Sequence, residues 1–189
     1  MFDEQNVITA VLSGNLRAFE ALVKQYEQLV FYIVNRMVTD KDDKADISQE
    51  VFIKVYQQIS KFEYKSKLST WIARIAYHTT LNYIRDQKRE RLTEYPHDIE
   101  NFHFTTETPE RLLDKKELSI YINELIEKLP LQLRTVLTLY HLNEFSYQEI
   151  EDITGMPEGT VKSYLFRARK LLKEKIEINL KNEQIRSQR

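Results

Sequence analysis

Between residues 19 and 37 the apolar side chains Phe19, Leu22, Val23, Tyr26, Leu29, Val30, Ile33, Val34 and Met37 recur three and four apart. That spacing gathers them on one stripe of a helix, whereas a strand would send successive residues to opposite faces. The same period returns at Ile47, Val51, Val55 and Ile59, then at Ile72, Ile75, Ala76, Thr79 and Tyr83, and again at Leu113, Leu118, Tyr121, Ile122, Leu125, Ile126 and Leu129. Only 3 Gly and 4 Pro occur in 189 residues, so the backbone seldom needs a turn or a left-handed dihedral. The expected class is all-α, with long helices and few loops, and the length allows one large or two small domains.

The breaks in the period divide the chain. Gly14 stops a first short helix over residues 3–13, and Asn15 is a suitable cap for the next, which should run to about Val38. The cluster Asp40 to Asp43 marks a turn before the third helix, and Phe62 to Lys67 interrupts the pattern before a fourth that starts near Ser66 or Ser69 and ends near Arg91. Residues 92–110 carry five acids, Pro96, Pro109 and no Lys or Arg, and show no sustained period. They are expected to form a flexible acidic linker between two small helical domains, 1–91 and 111–189. In the second domain Pro130 should end one helix, Arg134 to Leu142 form another, and the tail from Glu174 extend the last.

The total charge of −1 conceals an uneven field. Residues 61–91 hold eight basic and three acidic side chains, net +5, and residues 155–175 hold six and two, net +4. Two basic stretches flanking an acidic one suit two contacts with a polyanion, although charge alone fits ordinary solvated helix faces at least as well.

Several function classes find no support. There is no Cys, the four His (His78, His97, His103, His141) lack metal-ligand spacing, and three glycines cannot build a phosphate loop. Neither a catalytic centre, a metal nor a cofactor is expected. Paired carboxylates such as Asp42 with Asp43 and Glu151 with Asp152 fit helix capping and exposed faces better than acid–base chemistry. The longest apolar run, Leu29 to Val34, is six residues and the start is acidic, so no membrane insertion is expected and the cytoplasm is the expected location.

The sharpest local pattern runs from Ser146 to Leu172. Ser146 and Glu149 have the spacing of a capping box, Gly155 suits a left-handed helix stop, and Pro157 suits the first turn of a new helix. Ile150, Ile153, Val161 and Leu165 let the two helices pack, while Lys162, Ser163, Phe166, Arg167, Arg169, Lys170 and Lys173 stud the second. This is the layout of a helix-turn-helix, whose second helix reads base edges in the major groove; Arg and Lys suit guanine, and an aromatic suits the thymine methyl. A basic helical hairpin on a surface is the plainer alternative.

A second pattern, from Phe62 to Arg91, interleaves aromatics with bases, as a single-strand binder does. Phe62, Tyr64, Trp71 and Tyr77 could supply stacking rings, although a ring at helical spacing, Trp71 beside Ile72 for instance, can equally belong to a core.

These residues together resemble a bacterial RNA polymerase sigma factor of the extracytoplasmic-function (ECF) group of the sigma-70 family. The run AFEALVKQY (Ala18 to Tyr26) looks like region 2.1, ADISQEVFIKVY (Ala45 to Tyr56) like region 2.2, LSTWIARIA (Leu68 to Ala76) like regions 2.3 and 2.4, and LPLQLRTV with the helix-turn-helix like region 4. The resemblance implies that Asp46, Gln49 and Glu50 dock on core RNA polymerase, with Phe52 in a structural role. It implies that the loop Phe62 to Lys67 receives an unstacked base of the downstream promoter element, with Tyr64, Lys65, Trp71, Arg74, His78, Asn82 and Arg85 along the melted strand. It implies that Lys162, Ser163, Tyr164, Phe166, Arg167, Arg169 and Lys170 bind the upstream element. Implied partners are core polymerase, promoter DNA and an anti-sigma factor.

Three departures from the group's pattern bear on specificity. His78 stands where Asn is usual, Tyr164 where Arg is common, and the loop Glu63 to Lys67 lacks a Gly often found there. The competing assignments are a stand-alone helix-turn-helix regulator and a helical interaction protein that never touches DNA.

Overall fold

The computed structural model describes residues 2–38, 40–91, 102, 104, 115–141 and 143–187, and among these every regular element is helical. The first helix, α1, spans Glu4–Leu12 and starts where the Asp3 carboxylate accepts the Asn6 N–H. The chain reverses at Gly14, whose φ of +87° is open to glycine without strain. Asn15 then caps α2, Leu16–Met37, by accepting the Arg17 and Ala18 N–H groups. Asp40 does the same for α3, Lys41–Gln58, through the Asp42 N–H. A short 3-10 turn, Ile59–Lys61, and a loop lead into α4, Leu68–Arg91.

These helices bury the sides that the spacing assigns to the core. Leu22, Val30 and Val34 of α2, Val51 and Val55 of α3, and Ile72, Ala73 and Ala76 of α4 are fully enclosed, and α2, α3 and α4 pack on one another. Each enclosed aliphatic side chain contributes roughly 1.5–3 kcal/mol relative to exposure.

The remaining helices are α5, Lys115–Lys128, α6, Leu131–His141, α7, Tyr147–Thr154, and α8, Glu158–Ser187. Here α6 begins at Leu131 rather than Arg134, because the Pro130 carbonyl already accepts the Arg134 N–H and so opens the helix. Similarly Pro157 sits just ahead of α8, its carbonyl accepting from Thr160 and Val161. The tail does continue α8, to Ser187. The α6, α7 and α8 core is built on Leu133, Val136, Ile150, Ile153, Val161, Leu165 and Ala168.

The two helix groups pack together, α6 against α2 and α7 against α4, which the apolar spacing does not foretell. Arg36, in the last turn of α2 and buried, donates from Nη2 to the Asn123 Oδ1 at 2.5 Å and lies 3.6 Å from the Glu127 carboxylate, both on α5. At the other contact Lys67 and Thr70 meet Glu149 of α7. Polar residues carry no periodic signature that names a partner helix, which is why patterning misses these contacts. The expected linker lies outside the described residues apart from Phe102 and Phe104, half-buried rings that meet edge to face at 5.3 Å. His97 and His103 lie outside them too.

Candidate nucleic-acid and polymerase interfaces

Three surfaces collect the residues singled out above. The first is the outer face of α3. Because Ile47, Val51 and Val55 turn inward four residues apart, Asp46, Gln49 and Glu50 are forced to the solvent side and are exposed. Lys54 pairs with Glu50 at 2.6 Å, holding that carboxylate along the helix. Phe52 is half-buried against the core, in keeping with a structural part. The same stripe contains Ile53, half-exposed, which its spacing places on the outer face without assigning it a role. An apolar residue three and four positions from Glu50 and Gln49 was its signal.

The second surface lies where α3 faces α4. Lys54 and Gln58 of α3 and Trp71, Arg74, His78 and Asn82 of α4 line a polar cavity of about 440 Å³. Spacings of three and four along α4 put these four residues on one stripe, and Arg85 continues it as an exposed cation. Lys54, which its spacing puts on the outer face of α3, and Gln58, which carries no sequence signal, complete the lining from α3. Burial, then the nearby Arg74 and Arg85, push the His78 imidazole below its ordinary value of 6.5. At neutral pH it is uncharged, with one ring nitrogen to donate and one to accept.

The rings expected to stack do not all face outward. Phe62 is buried, its ring 4.7 Å from that of Tyr64 and 5.5 Å from that of Trp71, so it supports those two rather than meeting a base. Tyr77 is likewise buried, its ring roughly perpendicular to that of His78 with centroids 5.2 Å apart. Both follow the rule that rings near a helix seam find more contact inside than out. Tyr64 is exposed and holds φ at +56°, a left-handed conformation that suits the Gly often seen in this loop. Lys65 pairs with Glu63 and stays at the surface. Lys67 is turned to Glu149 at 3.0 Å instead of standing free beside the loop.

The third surface is the helix-turn-helix. The capping box is complete: Glu149 Oε2 accepts from the Ser146 N–H and Oγ–H at 2.8 Å each, and Ser146 Oγ accepts the Glu149 N–H at 3.3 Å. Gly155 takes φ of +74° and donates to the Glu151 carbonyl, ending α7 and redirecting the chain into α8. Opposite the buried seam of Val161, Leu165, Ala168 and Leu172, the outer face of α8 presents Ser163, Phe166, Arg167 and Lys170. Phe166 is 69% exposed, a large apolar ring left in water and available to a base methyl.

Lys162 and Arg169 project from one flank of that face, over Tyr147 and Tyr140 respectively. Tyr164 is on the other flank, half-buried against the core. Neither Tyr140 nor Tyr147 was singled out from the sequence, since a ring at a helix end carries no pattern of its own. Among the described residues no cluster of His, Cys, Asp and Glu could hold a metal, and no helix is long and apolar enough to cross a membrane.

The chain is similar to known proteins along most of its length. The model of sigma-70 region 2 matches residues 22–90, and that of sigma-70 region 4 matches residues 119–172. The ECF RNA polymerase sigma-E factor of Haemophilus influenzae is 36% identical over 181 residues, covering 92% of this chain and 95% of that protein. The RNA polymerase sigma-H factor of Pseudomonas aeruginosa is 33% identical, covering 89% and 91%. Among solved structures, CnrH in complex with the cytosolic domain of CnrY aligns with a TM-score of 0.66 at 18% identity, over 93% of this chain and 98% of that one. The sigma factor RpoE in complex with the anti-sigma factor NepR from Bartonella quintana gives 0.66 at 21% identity, over 85% and 98%, so both share the fold. With a region 2 helical unit and a region 4 helix-turn-helix in order, and relatives matched across nearly their whole length, the chain belongs to the sigma-70 family of RNA polymerase sigma factors, in its ECF group.

Proposed function

We infer that this sigma factor divides its work among the three surfaces. The chain binds core RNA polymerase and directs promoter recognition and transcription initiation. Docking falls to Asp46, Gln49 and Glu50 on α3, whose exposed polar stripe fits a protein partner. The cavity of Trp71, Arg74, His78 and Asn82 takes unstacked bases of the downstream element, with Tyr64, Lys65 and Arg85 around it and Phe62 as support. The outer face of α8 reads the upstream element as duplex. On this assignment residues 1–91 form the polymerase-docking and melting unit, 92–110 the linker, and 111–189 the upstream-binding unit.

The single observation that carries the reading is a basic, aromatic cavity suited to single strands in the same chain as a capped helix-turn-helix suited to duplex. A stand-alone regulator needs only the second. The mechanism is binding energy spent on trapping unstacked bases, which favours the opened strand; no covalent chemistry is assigned to the chain. It acts in the cytoplasm, where core polymerase is. An anti-sigma factor is a further partner, supported by the fold shared with a sigma factor solved in complex with one.

Co-elution with bacterial core polymerase, and transcription from a library of randomised promoters, tests the reading. Initiation at a selected two-part consensus supports it. A folded helical chain that neither binds core nor initiates would leave the stand-alone regulator as the better account.

A further inference from the structure

Lys162 and Arg169 stand seven residues apart, two turns along α8, and therefore share a flank. Beneath that flank two tyrosines from different helices stack face to face: Tyr140, in the last turn of α6, and Tyr147, the first residue of α7, have centroids 5.1 Å apart and planes 16° from parallel. Each ring carries a cation. The Arg169 guanidinium carbon is 5.1 Å from the Tyr140 centroid, and the Lys162 ammonium is 5.3 Å from that of Tyr147.

Arg169 is held at a second point. Its Nε donates to His141 Nε2 at 3.0 Å, so the imidazole accepts. Burial, then the neighbouring guanidinium, lower the His141 basicity, which keeps it an acceptor at neutral pH. Lys162, by contrast, also pairs with Glu158 on its own helix. The arginine is thus fixed by a ring and a hydrogen bond and, among the described residues, has no carboxylate within ion-pair distance, leaving its other N–H groups uncommitted to an acid.

Its place along the helix restricts what it can meet. Arg169 lies about 16 Å up the axis from the first residue of α8 at 1.5 Å per residue, whereas base edges are reached by the N-terminal part of a recognition helix. What borders the groove at that height is the sugar–phosphate backbone, and an arginine fork suits phosphate oxygens.

We propose that Tyr140 is a positioning residue for promoter binding: its ring, braced by Tyr147, holds the Arg169 guanidinium ready for a phosphate of the upstream duplex. The inference rests on the assignment of α8 as the duplex-binding helix. A long side chain ordered before binding loses less freedom on contact, so the ring contributes to affinity without touching a base.

The test uses the full chain assembled with core polymerase, on promoter duplexes that differ only in the upstream bases, over a range of salt concentrations. Arg169→Ala and Tyr140→Ala should each weaken binding about three- to tenfold by the same factor on every duplex, and Arg169→Ala should reduce the salt slope by about one contact. Tyr140→Phe, which keeps the ring face, should restore binding to within about twofold. In an Arg169→Ala background Tyr140→Ala should cost nothing more, a comparison that stays readable even where the single variant is less stable. An equal further loss in that background, or full binding by Tyr140→Ala while Arg167→Ala is impaired, overturns the role given to Tyr140. Full binding by Arg167→Ala as well overturns the assignment of α8 itself.

Discussion

Lys67 and Glu149 stand 3.0 Å apart, Nζ to Oε1, and join the loop before α4 to the first turn of α7. The other oxygen of the same carboxylate closes the Ser146 capping box. One side chain therefore starts the helix-turn-helix and ties it to the loop ahead of α4.

Removing Glu149 should cost more than removing Lys67. Glu149→Ala loses the reciprocal cap, about 1 kcal/mol, and the link to α4 together. Lys67→Ala loses only an ion pair whose lysine is 74% exposed, which contributes under about 1 kcal/mol in water. Urea unfolding of the full chain measures both, and equal losses would mean that the cap adds nothing.

The pH dependence follows from the same carboxylate. Burial by itself raises its pKa, but hydrogen bonds from the Ser146 N–H and from Lys67 and the Ser146 hydroxyl outweigh it and bring Glu149 to about 2, below the ordinary 4.5. A carboxyl depressed in the fold stabilises it above the unfolded-state value and loses that contribution as pH falls from about 4.5 toward 2. The native chain should therefore lose stability on acidification more steeply than Glu149→Gln across that window. Parallel acid melts of the two would show that the carboxylate charge contributes nothing.

Much of the helical core and of the helix-turn-helix is legible in the order of the amino acids alone. The buried apolar residues of α2 and α3 are those whose spacing is helical, Ile72 and Ala76 of α4 follow the same spacing, and Ser146, Glu149 and Gly155 do locally what their types demand. Local physics acts over four residues, so short-range pattern exposes it. What pattern does not show is long-range: that Phe62 turns inward under Trp71, that Lys67 leaves the loop for Glu149, or that Tyr140 and Tyr147 come from two helices to stack. Such pairings depend on which faces meet, and a charge or a single ring fits several. Lys54 has the same limit, lying on the outer face of α3 by sequence and at the cavity shared with α4 by geometry.

Ile53 offers a check on the docking role proposed for α3. It is half-exposed beside Gln49 and Glu50, with nothing in the fold requiring it to be apolar. Placing a charge there, as in Ile53→Asp, should leave the melting temperature nearly unchanged and weaken binding to core polymerase at least tenfold, about 1.4 kcal/mol. Undiminished co-elution with core would remove Ile53 from the interface.

On the proposed assignment of the α3–α4 cavity to unstacked bases, His78 is the wall residue expected to set base preference. Held neutral by burial and by Arg74 and Arg85, it presents one donor and one acceptor at the wall formed with Trp71 and Asn82. Asparagine also presents both, but on an amide reaching a different depth, so His78→Asn should preserve folding and initiation while changing which base is preferred. The shift should be confined to one downstream position and amount to about tenfold between the favoured base and its replacement, within the range of a single well-placed hydrogen-bond pair. His78→Ala, which offers neither group, should flatten preference at that position instead of moving it. Selection from promoters randomised only in the downstream element reads all three proteins side by side; an identical consensus from each would show that the imidazole faces the cavity without reading what enters it.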